Sequence, residues 1–192
     1  MFNRSKMKFM FVMVSLFTLL CAWPLAASAA SGASHPPILL KLDGIKGESQ
    51  DAQYRDAIEI NSFSFGVTNP AQITKGGGSS SGKATYSDIQ LTKFLDSASL
   101  DLLKNAATGK SIKNGTLYFF KNGQDKPYLT IQLSGILVTS QQQSVAADGE
   151  RMQESVSLTA SKMTLIYTLI GPDGKETSQT IEIDLVKNTV TG

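Results

Sequence analysis

The chain has 192 residues, 41% of them apolar, with 18 Lys and Arg against 16 Asp and Glu. Three of the bases, Arg4, Lys6 and Lys8, precede residue 30 with no acid among them, so the remainder is close to neutral at net −1 and holds no basic cluster for a nucleic-acid backbone. The single Cys and single Trp, Cys21 and Trp23, lie in the same stretch, which excludes a disulfide framework and thiolate metal chemistry from the rest.

Residues 1–29 read as a cleavable secretory signal peptide. The basic start is followed by the apolar run Phe9 to Leu20, then by Pro24 and small residues at Ala27 and Ala29, placing cleavage before Ala30. The run is shorter than the roughly 20 apolar residues of a membrane span. Leu20 is too bulky for a lipid-anchor signal at Cys21. The expected location is periplasmic or extracellular. Residues 30–37 read as a flexible leader, extended at Pro36-Pro37. The remaining ~160 residues are enough for one domain that buries about two thirds of its unfolded surface.

Ile38 to Leu42 is predicted to be a strand that ends at the turn Asp43-Gly44. Gly47, Glu48, Ser49, Gln50, Asp51, Ala52, Gln53, Tyr54 and Arg55 form a polar segment expected to be an exposed loop. Ala57 to Phe65 alternates, with apolar Ile58 and Ile60 and, after one break, Phe63 and Phe65; the break predicts a bulge. The Gly76 to Gly82 run predicts a mobile loop. Ser87 to Leu95 alternates again.

The period then changes. Ser97 or Ser99 is placed to cap a helix, Asp101 suits its positive end, and Leu102, Leu103, Ala106 and Ala107 are expected to share one face. Lys104 and Lys110 suit the negative end, and Gly109 can terminate the helix. Thr116 to Phe120 runs into Asn122-Gly123, a tight-hairpin signal. Tyr128 to Val138, Ser155 to Thr159, Met163 to Tyr167 and Thr180 to Val186 all read as strands, with a further turn at Asp173-Gly174. About eight short strands and one helix predict a mainly β fold, an antiparallel β-barrel or sandwich with a flanking α-helix.

Catalytic patterns are few. Gly78-Ser79-Ser80-Ser81-Gly82 fits a nucleophile elbow, but a strand rather than a helix follows, and the only histidine, His35, lies in the leader. Gly77 to Lys83 fits most of a phosphate-binding loop, but Ala84 replaces the magnesium-binding hydroxyl. Asp148, Glu150 and Glu154 lack the alternating oxygen ligands of a calcium loop and are expected in a solvated turn. No catalytic residue, cofactor or metal is expected. The sequon Asn114-Gly115-Thr116 matters only where exported proteins are glycosylated.

Six segments in order resemble the haemolysin-coregulated protein (Hcp) family, the inner-tube subunit of type VI secretion systems. They are Leu40 to Ser49, Ala57 to Gly66, the glycine run with Ser87 to Asp96, the helix ending Thr108-Gly109-Lys110, Glu154 to Leu158, and Met163 to Tyr167. The resemblance covers about Ile38 to Val186 and implies that residues 38–192 form one Hcp-like barrel domain. It further implies a non-enzymatic homo-oligomer: six-membered rings that stack into a tube, with effectors or secretion-machine components as further partners. The segment Gly47 to Arg55 is similar to the loop placed between stacked rings. The leader is a departure, since tube subunits of this family carry no cleavable signal. An exported binding module on the same fold is the alternative. No nucleic-acid partner is expected.

Overall fold

Leu39 and Leu40 are adjacent, so in a strand they point to opposite faces, and both are buried. The first strand, β1 (Ile38–Leu42), is therefore covered on two sides. Leu40 and Leu42 enter the main core, whereas Leu39 joins Ala57 and Phe120 in a small separate cluster. The computed structural model describes residues 36–73, 79–145, 147, 149, 151–171 and 174–192. The signal-peptide and cleavage residues Ala27, Ala29 and Ala30, together with His35, lie outside them, as do Asp148, Glu150 and Asp173.

Leu42 to Ile45 is a tight turn closed by a 3.2 Å hydrogen bond, with Gly44 at φ +78°. β2 (Ile58–Glu59) pairs with β1. β3 (Ser62–Ser64) instead pairs with β8 (Ile89–Phe94). The break in alternation near Asn61 is thus a passage from one sheet to another and not the expected bulge. Ile60 N–H bonds Ile38 on one side, and Asn61 N–H bonds Thr92 on the other.

Between these lies a ribbon: β4 (Val67–Thr68), β5 (Ala71–Ile73), β6 (Ser79–Ser81) and β7 (Thr85–Tyr86). β4 pairs with β7 and β5 with β6. Of the run expected to be a mobile loop, Ser79 to Ser81 are strand residues paired with Ala71 to Ile73, and Gly76 to Gly78 lie outside the described residues. The rings of Phe65 and Tyr86 stack at its root, 6.2 Å apart.

The helix α1 (Ser99–Thr108) stops at Gly109 in the left-handed conformation, φ +64°, as the glycine predicts. Its start differs from expectation. Ala98 is the N-cap and no side chain caps it; the Ser97 hydroxyl donates instead to the Lys46 carbonyl. No base lies in the last turn. Leu102 alone of the four expected face residues is fully buried; Ala106 is partly so, and Leu103 and Ala107 are exposed.

β9 (Ile112–Phe119) pairs with β1 and with β10 (Leu129–Ser144). Asn122-Gly123 forms a turn closed from Gln124 N–H to the Lys121 carbonyl, but it sits within a longer loop, 120–128, rather than making the two-residue hairpin. β10 is long enough to serve two sheets. Its first half lies between β9 and β12 (Lys162–Ile170). From Leu137 onward, across an irregularity between Val138 and Ser140, it pairs with β11 (Gln153–Thr159), which in turn pairs with β8. The pairings β2–β1–β9–β10–β11–β8–β3 close on themselves because β3 follows β2, giving an antiparallel barrel. Leu117, Ile131, Leu133, Ile136 and Leu158 fill it.

β12 does not close the barrel. It leaves the seam beside β10 and carries β13 (Glu176–Asp184) and β14 (Thr189–Thr191) outward as a three-stranded wing. Among the described residues there are fourteen strands and one helix, more strands than the eight expected, since the ribbon, the split second segment and the final strand add to them.

Candidate functional site

The segment Gly47 to Arg55 folds back on the barrel wall. Ser49 N–H bonds the Ala57 carbonyl at 3.0 Å, and Asp56 N–H bonds the Ser49 carbonyl at 3.1 Å. A Cβ on Gly47 would lie 2.6 Å from Ile58 Cα, so only glycine fits. The Asp51 carboxylate accepts from the N–H groups of Gln53 and Tyr54 at 2.8 and 2.9 Å. The Tyr54 ring then rests on Tyr118 and Phe120, with centroids 4.7 and 5.1 Å away. Burial, with the Tyr118 and Asp51 charges, holds the Tyr54 hydroxyl above the usual phenol range. The segment therefore differs from the exposed loop expected. Gly47 and Ser49 are buried, Asp51 and Tyr54 are half-buried, and Glu48, Gln50, Ala52, Gln53 and Arg55 face solvent. The apolar patch left by Leu39 is the reason the loop lies down. Glu48 reaches sideways and accepts from Ser97 N–H at 2.9 Å.

The wing is the second surface. Alternation puts Met163, Leu165, Tyr167 and Leu169 on one face of β12. Leu165 faces Ile181 across the pair, Met163 faces Ile183, and Ile183 faces Val190. This face continues the barrel core, because Leu133 and Ile131 of β10 stand opposite Met163 and Leu165. Met163 is buried, yet outward along the same face Tyr167, Leu169, Ile181 and Val190 are exposed, at 42%, 51%, 46% and 56%. The opposite face is mostly polar, with a Lys162–Glu182 ion pair and a Thr168–Ser178 hydroxyl contact, and also carries Ile166 and Ile170. An apolar face of four large exposed residues on a thin sheet is suited to being covered by protein.

A third feature is internal. Lys93 of β8 stands directly opposite Glu154 of β11, on the core-facing side of both strands. Lys93 Nζ lies 2.8 Å from Glu154 Oε2 and 2.7 Å from Asp96 Oδ1, with the lysine side chain 1% exposed and the glutamate 0%. Burial pushes the Glu154 carboxyl up, but hydrogen bonds from Lys93, Ser99 and Gln143 and the lysine charge outweigh it, so the group titrates below its ordinary range. Glu154 is not in the solvated turn expected for it. The clue in the sequence was parity: Lys93 alternates with Ile89 and Leu91, and Glu154 with Val156 and Leu158, so two opposite charges occupy core positions.

An open groove of about 930 Å³ lies between the Gly44–Lys46 turn and the start of α1, and sets Lys41, Lys46 and Arg55 against Asp43, Asp56 and Asp101. Ser80, the residue of the elbow pattern, lies in β6 opposite Gln72. Its neighbours in sequence continue as ribbon, so the strand-to-helix turn that activates such a serine is not formed there.

The fold is a mainly β antiparallel barrel with one flanking helix and a lateral three-stranded wing. Residues 39–167 match the family described as type VI secretion system effector, Hcp. The Hcp1 protein of Pseudomonas aeruginosa is 27% identical over 139 residues, 71% of this chain and 86% of its own length. The solved structure of a type six secretion system protein superposes with a TM-score of 0.75 at 27% identity, covering 80% of this chain and 98% of the other. Hcp1 from Salmonella typhimurium gives 0.68 at 27% identity, covering 80% and 97%. The chain belongs to the Hcp family and is a tube subunit of the type VI secretion class.

Proposed function

We propose that the chain works as a ring, six-membered by family resemblance, whose rings stack into a hollow tube, and that it does so without catalysis. The observation that carries this is the wing. Its core face runs out from under its own barrel and leaves Tyr167, Leu169, Ile181 and Val190 uncovered. A head-to-tail contact that buries this face on the next subunit closes into a ring when the rotation per subunit allows it. Edge strand β14 is then also protected from open-ended pairing. The exposed tip of the Gly47 to Arg55 loop, at Gln50, Gln53 and Arg55, is placed on a ring face and contacts the next ring in the stack. The signal peptide read in residues 1–29 supports export, and effectors or secretion-machine components are the further partners this reading admits. The balanced charge of the large groove offers no stripe for nucleic acid.

Light scattering of the purified protein tests the ring. The parent is expected at about six times the subunit mass, and the Ile181→Asp, Leu169→Asp variant as a folded monomer. A parent that stays monomeric at high concentration overturns the ring and favours the exported binding module.

A further inference from the structure

Little apolar surface joins α1 to the barrel. Within the helix only Ser99 and Leu102 are buried, while Leu100 and Leu103 are 74% and 45% exposed. A helix this short does not persist in water on its own propensity. Its first turn is held by polar groups instead. Lys93 Nζ donates to the Ser99 hydroxyl at 2.9 Å, to the Phe94 carbonyl at 2.8 Å and to Glu154. The Ser99 hydroxyl donates to Glu154 Oε2 at 2.6 Å. The amides of Gln141 and Gln143 reach Glu154 Oε1 at 3.1 and 2.6 Å, and Gln141 also donates to the Ser99 carbonyl at 3.2 Å. Side chains from β8, β10 and β11 thus converge on the first residue of α1.

A buried ion pair adds little net stability over an apolar pair of the same shape, but a fully partnered network defines one geometry and fails badly when one member is lost. Both Glu154 oxygens and the Lys93 ammonium are partnered, and among the described residues Gln141 Oε1, at the edge of the cluster, is the buried side-chain atom left without a partner. The barrel ladder β1–β9–β10–β11–β8–β3 pairs backbone to backbone without passing through α1, although Lys93 and Glu154 sit on two of its strands.

We propose that Lys93, Glu154 and Ser99 form a latch that holds α1 on the barrel, and that breaking it releases α1 as a local unit while the barrel stays folded. Such units of low local stability open separately from the core that carries them. Release withdraws Leu102 from the core cluster and uncovers the flank of β10. The inference is independent of ring formation.

Hydrogen exchange on the full chain, read segment by segment, tests it. In Glu154→Gln and in the milder Ser99→Ala, amides of Leu102 to Thr108 are expected to exchange at least tenfold faster than in the parent. Amides of β9, β12 and the first half of β10 are expected to stay within about twofold. Equal acceleration of helix and barrel overturns the latch, since the cluster then supports the whole fold; so does unchanged exchange in α1. If Glu154→Gln does not fold, Ser99→Ala and Gln143→Ala give the reading.

Discussion

Asn188 Nδ2 donates to the Ala84 carbonyl across 2.6 Å, although the two residues are 104 positions apart. The contact ties the turn between β13 and β14 to the root of the β4–β7 ribbon. Asn188 adopts φ +55°, a conformation that asparagine tolerates better than most side chains. Its amide therefore has two tasks, to permit the turn and to fix what lies beside it.

Substitutions at Asn188 separate these tasks. Asn188→Gly keeps the turn and loses the hydrogen bond, a cost of about 1 kcal/mol. Asn188→Ala loses the bond and adds about 1–2 kcal/mol for a Cβ in the left-handed region. Urea midpoints should therefore rank parent, glycine, alanine. Equal losses in the two variants would mean that the backbone conformation carries no cost.

Glu154 makes stability depend on pH in one direction. Its folded-state carboxyl titrates below the ordinary 4.5 of a glutamate. A depressed pKa contributes stability that is complete above the unfolded value and is lost as pH falls through the folded value. Unfolding free energy is expected to be level with respect to this group from pH 7 to about 5 and to fall below about 4.5. Asp184 is depressed too, chiefly by the Lys187 N–H, but it is present in parent and variant alike. Urea titrations of the parent and Glu154→Gln at pH 3.5, 4.5, 5.5 and 7 give the difference. The variant should show the shallower acid slope, and parallel slopes contradict the assignment.

The loop surface can be altered without loosening its anchor. Asp51 and Tyr54 hold the segment down, so the triple variant Gln50→Ala, Gln53→Ala, Arg55→Ala spares both. Rings are expected to survive in light scattering, while stacks seen by electron microscopy shorten or vanish. Surface changes of this kind alter stability by no more than about 0.5 kcal/mol. Dissociation of the rings themselves would place the loop between neighbours within a ring.

Processing of the leader has an optical consequence. Cleavage before Ala30 removes Trp23, the only tryptophan. Intact mass of the exported protein is expected to begin at Ala30 or within two residues of it, and its emission to be that of tyrosine alone. Tryptophan emission from the exported form would show that the leader is retained.

Local chemistry in the chain determined the element types. The alternation of Tyr128 to Val138 and of Met163 to Tyr167 set strands, and Gly109 set the end of the helix, because side-chain period and left-handed backbone are properties of a few adjacent residues. The six segments that mark the family were legible for the same reason. Tertiary structure alone decided where those strands went. Ile58 and Phe63 look like one strand with a flaw, yet each finds a different partner, β1 for the first and β8 for the second. Gly47 to Arg55 looks soluble by composition, yet the apolar side of Leu39 needs a cover and Tyr54 supplies it. Lys93 and Glu154 look like surface charges one at a time. Only the pairing of β8 with β11 makes them neighbours, 61 residues apart, and only burial turns that pair into the foot of α1. Periodicity is read within a segment, whereas pairing and desolvation depend on which distant segment arrives beside it.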